Sequence, residues 1–169
     1  MRWESLFDDL ENQFAQAARA VDDEEVLDLT EAEMAQVPLI DRLRARHGQD
    51  VTLRLADGSD VHGTVVDVAV QWLLVADGSR RVLVPAASVV AARSLGHAAP
   101  RAPVVERRLR LTHVLRALAR EGSAVVVRTT AGDYRGTITR VAADHVDAET
   151  DTGTTVTVAL AHVLAVLTP

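Results

Sequence analysis

Six histidines, a cluster of arginines and a complete lack of cysteine set the chemistry open to this chain. The histidines are His47, His62, His97, His113, His145 and His162. No two of them stand at a zinc-ligand spacing, and no thiolate is available to complete a site. His62 precedes Gly63 in a strand pattern and reads as a surface residue rather than a general base. There is no Gly-x-Ser-x-Gly elbow, no phosphate loop and no dinucleotide glycine fingerprint. The Asp-Gly pairs read as hairpin turns, not as carboxylate dyads. The expectation is a protein that is not an enzyme, with no catalytic residues, no metal site and no cofactor.

The arginines are more suggestive. All 18 basic residues are Arg, a usage that, with abundant Ala, Val and Asp, fits a GC-rich, actinobacterial genome. Residues 93–120 hold 7 Arg against a single acid, Glu106, whereas residues 1–48 hold 5 Arg against 12 acids. Arg101, Arg107, Arg108 and Arg110 are candidate nucleic-acid contacts, because planar guanidinium groups suit bidentate phosphate recognition. The competing reading is neutralisation of the acidic N-terminal segment, within one chain or between subunits. The opposite net charges of the two segments, −7 against +6, favour the second reading, and the uneven placement of the overall charge of −6 leaves no uniformly basic nucleic-acid surface.

At the N-terminus, Trp3, Phe7, Leu10, Phe14, Ala17 and Val21 recur at alternating spacings of 4 and 3. This is an a/d stripe on an acidic helix, short enough to need a cover. The cover is either the rest of the chain or another molecule. Trp3, Phe7, Leu10 and Phe14 are therefore the candidate self-association or partner face. Asp22–Glu25 then reads as a solvated turn, and Thr30 with Glu33 has capping-box spacing.

The elements that must position these residues come in duplicate. Gly48–Leu55 matches Gly122–Thr129 at an offset of 74, with Val51, Leu53, Leu55 and Val125, Val127, Thr129 alternating onto one face. Turns at Asp57-Gly58 and Ala131-Gly132 follow. The run Val61–Val68 then matches Tyr134–Val141 at offset 73. Gly63 and Gly136 recur inside these strands, where a glycine predicts sharp curvature. Trp72–Val75 and His145–Ala148 predict third strands, Val82–Val84 and Val156–Val158 fourth strands, and Val89-Val90 and Val163-Leu164 fifth strands. Leu39, Ile40 and Leu43, and likewise Leu111, Val114, Leu115 and Leu118, are spaced as helices leading into Gly48 and Gly122. The alternative is one barrel or sandwich of about eight to ten strands without duplication.

A helix plus five bent strands, with a glycine in the second strand and a tight turn before the fifth, resembles the Sm-like fold. That family includes the eukaryotic Sm proteins and the bacterial host-factor RNA chaperone. The resemblance covers roughly residues 38–92 and 110–167. Gly63–Val68 and Leu83-Val84-Pro85 resemble PRC-barrels as well, the second choice. The Sm-like resemblance implies edge strands that pair between neighbouring barrels, and an RNA ligand. The Asp and Asn of the uridine pocket are absent: Ala69 and Trp72 stand there in the first repeat, Ala142 and His145 in the second. The Arg-Gly of the second Sm motif is replaced by Pro85-Ala86 and Ala159-Leu160.

The expected fold class is α+β, mostly β: an N-terminal helical arm followed by two helix-plus-five-strand small β-barrels of Sm-like or SH3-like type. The expected division is an arm at 1–37, a first barrel with its leading helix at 38–95, a linker at 96–103 and a second barrel with its leading helix at 104–169. No apolar run approaches the ~20 residues of a membrane span, and no secretory signal is evident, so a cytoplasmic location is expected. The expected function is a non-catalytic, oligomer-forming binding or assembly protein, acting as an adaptor or regulatory scaffold. Its expected partners are further copies of itself or another protein, without membrane contact. The alternative is an RNA-binding regulator, less favourably a DNA-binding one, using the Arg-rich segment.

Overall fold

The computed structural model describes residues 36–96 and 109–168. From Pro38 onward these belong to one compact unit. The unit opens with α1 (Leu39–Arg44), followed by β1 (Asp50–Leu55), β2 (Asp60–Val68), β3 (Trp72–Asp77), β4 (Arg80–Pro85), a 3-10 turn at Ala86–Ser88 and β5 (Val89–Arg93). The second half repeats this order: α2 (Leu111–Glu121), β6 (Ala124–Thr129), β7 (Gly132–Val141), β8 (His145–Thr150), β9 (Thr155–Ala159), a 3-10 turn at Leu160–His162 and β10 (Val163–Thr168).

The expectation of two helix-plus-five-strand barrels is overturned. The ten strands form one antiparallel sheet in the order β5-β1-β2-β3-β4-β10-β6-β7-β8-β9, open at both ends. The physical reason lies in β10. One edge of β10 pairs with β6 in its own half, and the other pairs with β4 of the first half. The two halves are thereby fused through backbone hydrogen bonds instead of each closing on itself. Two α-helices are found among the described residues, one per half.

Alternation explains the strands. Val51, Leu53 and Leu55 are buried on one face of β1, as are Val125, Val127 and Thr129 on β6. Thr129 is a polar residue in a core position, and it is satisfied locally. Its hydroxyl donates to Gly132 O at 2.8 Å and accepts from Ala131 N–H at 3.1 Å, which pins the hairpin turn.

Gly63 and Gly136 owe their place to a close approach. Each has a positive φ, +150° and +157°, and a Cβ would collide with the carbonyl of Ala76 or Glu149 on the next strand. Just beyond each glycine the β2–β3 and β7–β8 ladders slip by one residue, at Val66 and Thr139. Bend and bulge therefore recur at equivalent positions. Gly122 caps α2 in the left-handed conformation, φ 63°. Gly48 does not cap α1: that helix ends at Ala45, and Gly48 lies in the turn leading to β1.

The core has two clusters, and each borrows from the other half. The first gathers Leu43, Leu53, Val65, Val75 and Val84 with Leu164 and Ala165 from β10. The second gathers Leu115, Val127, Ile138 and Val146 with Ala69, Trp72 and Leu83 from the first half. Along β4, Val82 and Val84 face one cluster while Leu83 faces the other. A strand apolar on both faces is one covered on both sides.

Candidate assembly interface

The seam between β4 and β10 is the best-defined recognition geometry in the unit. Its register sets Val166 opposite Leu83, Leu167 opposite Val82 and Thr168 opposite Arg81. Three side-chain contacts reinforce it. Ser88 Oγ, buried, lies 2.9 Å from Leu164 O and 2.8 Å from Pro85 O, so its single proton is shared. Thr168 Oγ1 donates to Arg81 O at 3.4 Å. Trp72 Nε1 donates to Leu109 O at 2.9 Å, tying the first half to the lead-in of α2.

The bulge in β10 makes this seam possible. Val163 pairs with Thr129 and Ala165 with Arg128, so Leu164 is the extra residue. Its side chain enters the first half's core and is only 3% exposed. The same bulge occurs where β5 meets β1: Val89 pairs with Leu55 and Ala91 with Arg54, leaving Val90 as the extra residue. Val90 has no neighbouring half to enter and is 65% exposed.

The two ends of the sheet thus correspond to the two strands of the internal seam. Among the described residues, β5 matches β10 but has no strand in the place of β4, and β9 matches β4 but has none in the place of β10. Val82 and Pro85 of β4 are buried, whereas their counterparts Val156 and Ala159 are half-buried and exposed. Neither end strand carries a Pro, and the only charge in them is Arg93, so the usual protections of a free edge are sparse.

Two crevices occupy equivalent places in the halves. One, of about 360 Å³, runs along Val125 and Val126 past Gly136 and is flanked by Arg80, Arg128 and Arg135. The other, of about 550 Å³, runs along Val51 and Thr52 past Gly63. The first is completed across the seam by Arg80; the second ends at the open β5 edge, by Arg93 and Ser94.

Duplicated electrostatics accompany the duplicated fold. Arg54 faces Asp60 across β1–β2, with Nη2 to Oδ2 at 2.9 Å, and Arg128 faces Asp133 across β6–β7 at 3.5 Å. The hydrogen bond from Arg54 holds the Asp60 carboxyl below the ordinary range. Asp57 is lowered by hydrogen bonds from Ser59, and Asp144 by its contact with His145. The acids of the Arg–Asp pairs escaped the sequence reading, although Arg54 and Arg128 lie in its matched segments. An acid at the start of both second strands was the available signal.

The residues singled out from sequence are distributed differently. Trp3, Phe7, Leu10, Phe14, Arg101, Arg107 and Arg108, and most of the expected 96–103 linker, lie outside the described residues. Arg110 is described: it is the N-cap of α2, and its N–H donates to His113 Nδ1 at 3.2 Å. His62 Nδ1 lies 3.0 Å from Thr52 Oγ1, and His145 Nδ1 lies 2.7 Å from Asp144 Oδ1. Among the described residues no three His, Asp or Glu gather in a metal-binding group. No helix among them is long and apolar enough to cross a membrane. No protein-family model matches the chain, and no curated protein does.

Proposed function

We propose that this protein is a non-catalytic assembly module that associates with further copies of itself through the open edges of its sheet, and serves as a scaffold in that form. One observation carries the reading: Val90 is 65% exposed, while Leu164, at the same bulge in the other half, is 3% exposed inside a core. An exposed branched aliphatic side chain on an unpaired edge strand is a site for strand addition. The RNA-binding alternative leans on Arg101, Arg107 and Arg108, outside the described residues, and on Arg110, which stands at a helix cap.

Light scattering coupled to size exclusion tests the proposal over a dilution series. The expected result is a mass above the 18.2 kDa of one chain that falls on dilution. Val90→Lys, which places a charge on the edge, is expected to shift the protein to monomer and to melt no lower than the parent diluted until it is monomeric. A strict monomer at every concentration, with residues 1–28 present or removed, sinks the reading. Removal of residues 1–28 separates edge pairing from pairing by the N-terminal stripe.

A further inference from the structure

We propose that the arginine-flanked crevice over the seam binds a small organic dianion, a phosphate monoester with a short apolar body. This goes beyond the assembly reading and does not depend on it, because every residue of the site belongs to one chain.

One face of the sheet builds the crevice. Val82, Leu167, Val126 and Arg135 stand in a single row across β4, β10, β6 and β7. Residues paired in a row, and residues two apart along a strand, share a face. Arg80, two before Val82, and Arg128, two after Val126, therefore lie on the face that carries Arg135. Arg80 comes from the first half and the other two from the second, and all three line the crevice of about 360 Å³. Val126 and Leu167, both half-buried, add an apolar wall.

The charge there is not neutralised. Asp133 engages Arg128 at 3.5 Å. Among the described residues no acid forms an ion pair with Arg80 or Arg135, and both are exposed. With Asp133 and Asp151 both counted, the three guanidinium groups still leave a positive excess. A phosphate monoester carries about −1.5 to −2 at pH 7 and has three strong acceptor oxygens. That matches two unengaged, planar guanidinium groups, whereas a lone carboxylate leaves one of them uncompensated. The crevice is at the small end of the range for small-molecule sites, about 300–1,000 Å³. Three arginines around it do not make the long basic track that a polyanion follows.

The equivalent crevice of the first half shows what is particular to this one. There Asp50 stands in the place of Ala124, Thr52 of Val126 and His62 of Arg135. Asp50 accepts from Thr64, and His62 meets Thr52, so these polar groups already have partners. Asp50 and Asp77 balance Arg46 and Arg93. The duplicated fold thus holds one neutral crevice and one cationic crevice. A ligand in the cationic one ties β4 of the first half to β6 and β7 of the second.

Phenyl phosphate and inorganic phosphate are the probes, titrated by calorimetry at low salt with melting temperature followed in parallel. The expected result is one phenyl phosphate per chain, bound at least about threefold more tightly than inorganic phosphate, with a raised melting temperature. Arg80→Gln and Arg135→Gln should each weaken binding at least about tenfold, the loss of a charge-assisted contact. Both side chains are exposed, so the free variants should melt with the parent. Asp133→Asn, which releases Arg128, should tighten binding about threefold. Arg81 adjoins Arg80 on the opposite face of β4, and Arg81→Gln should change affinity less than about twofold. An equal loss in Arg81→Gln means diffuse attraction and overturns the site. Inorganic phosphate bound as tightly as the ester overturns the organic ligand. If a single-stranded oligonucleotide binds and phenyl phosphate does not, the inference falls and the RNA-binding alternative gains. Light scattering on the same samples keeps the two readings apart. A strict monomer that binds phenyl phosphate sinks assembly alone, and an oligomer that does not bind it sinks this site alone.

Discussion

Leu164→Ala should reveal how far the two halves depend on one another. Leu164 belongs by sequence to the second half, yet its side chain completes the first half's core and is 3% exposed. The substitution removes three buried carbons at about 0.8 kcal/mol each, or about 2.4 kcal/mol before any cavity is counted. The cavity left behind raises the expected loss to about 3–4 kcal/mol, inside the usual range for a buried leucine. Val90→Ala, at the equivalent bulge, should cost under about 0.5 kcal/mol in dilute, monomeric protein, because its side chain is 65% exposed. The assay is urea denaturation followed by far-ultraviolet dichroism and by Trp72 fluorescence in a Trp3→Phe background. Trp72 is carried by the first half but packs in the second cluster, so its signal reports the shared core. Both probes should give one coincident transition, with the midpoint lowered and the slope unchanged. A Leu164→Ala loss below about 1 kcal/mol, or a first half that melts ahead of the Trp72 signal, would refute the mutual dependence of the halves.

Three further outcomes are expected. Gly63→Ala and Gly136→Ala should each cost about 3 kcal/mol or more, since strained φ adds to collision with a neighbouring carbonyl; Gly58→Ala, in open space at φ +81°, should cost about 1–2 kcal/mol. Thermal melts of the three variants side by side would show the ranking, and equal losses would count against the close-approach argument. Trp72→Phe removes the hydrogen bond to Leu109 O and some ring volume, and should lower stability by about 1–3 kcal/mol in the same urea assay. Asp60 titrates below its unfolded value because Arg54 binds its charged form. Its contribution is present above the ordinary carboxylate value of about 3.9 and is lost as pH falls through the folded value. Melting temperature should therefore fall with acid less steeply in Asp60→Asn than in the parent, the two curves converging at low pH; parallel curves would remove Asp60 from the account.

The local structure was legible because it is written in short-range patterns. Alternation in Val51–Leu55 and Val125–Thr129, and glycine at positions 63 and 136, placed strands and bends where the structure has them. The joining of those strands was not legible in the same way. β10 reaches β4 across more than eighty residues, and no spacing rule relates Val166 to Leu83. One trace of the seam was present: Val82-Leu83-Val84 is apolar on both faces, whereas Val156-Thr157-Val158 alternates. The outward Trp72 and Leu83, against His145 and Thr157, marked the face that the second half covers. Of the candidate interface, the sequence offered edge pairing only through a resemblance. The contrast between Val90 and Leu164 is invisible in sequence, because both are ordinary branched aliphatic residues whose difference is environmental.

The fused sheet also carries a timetable. During synthesis the first half emerges well before β10, the last of the described strands, and until β10 arrives the edge of β4 lacks its β10 partner and Trp72 and Leu83 lack the cover of the second half. Folding must then wait on one of the longest-range contacts the chain makes, the sort that slows folding and leaves strand edges open to wrong partners. The strand positioned to mispair with that waiting edge is β5 of a neighbouring nascent chain, or of its own. The protein's hazard in folding and its proposed means of assembly are thus the same kind of strand pairing, kept apart by which strand arrives first.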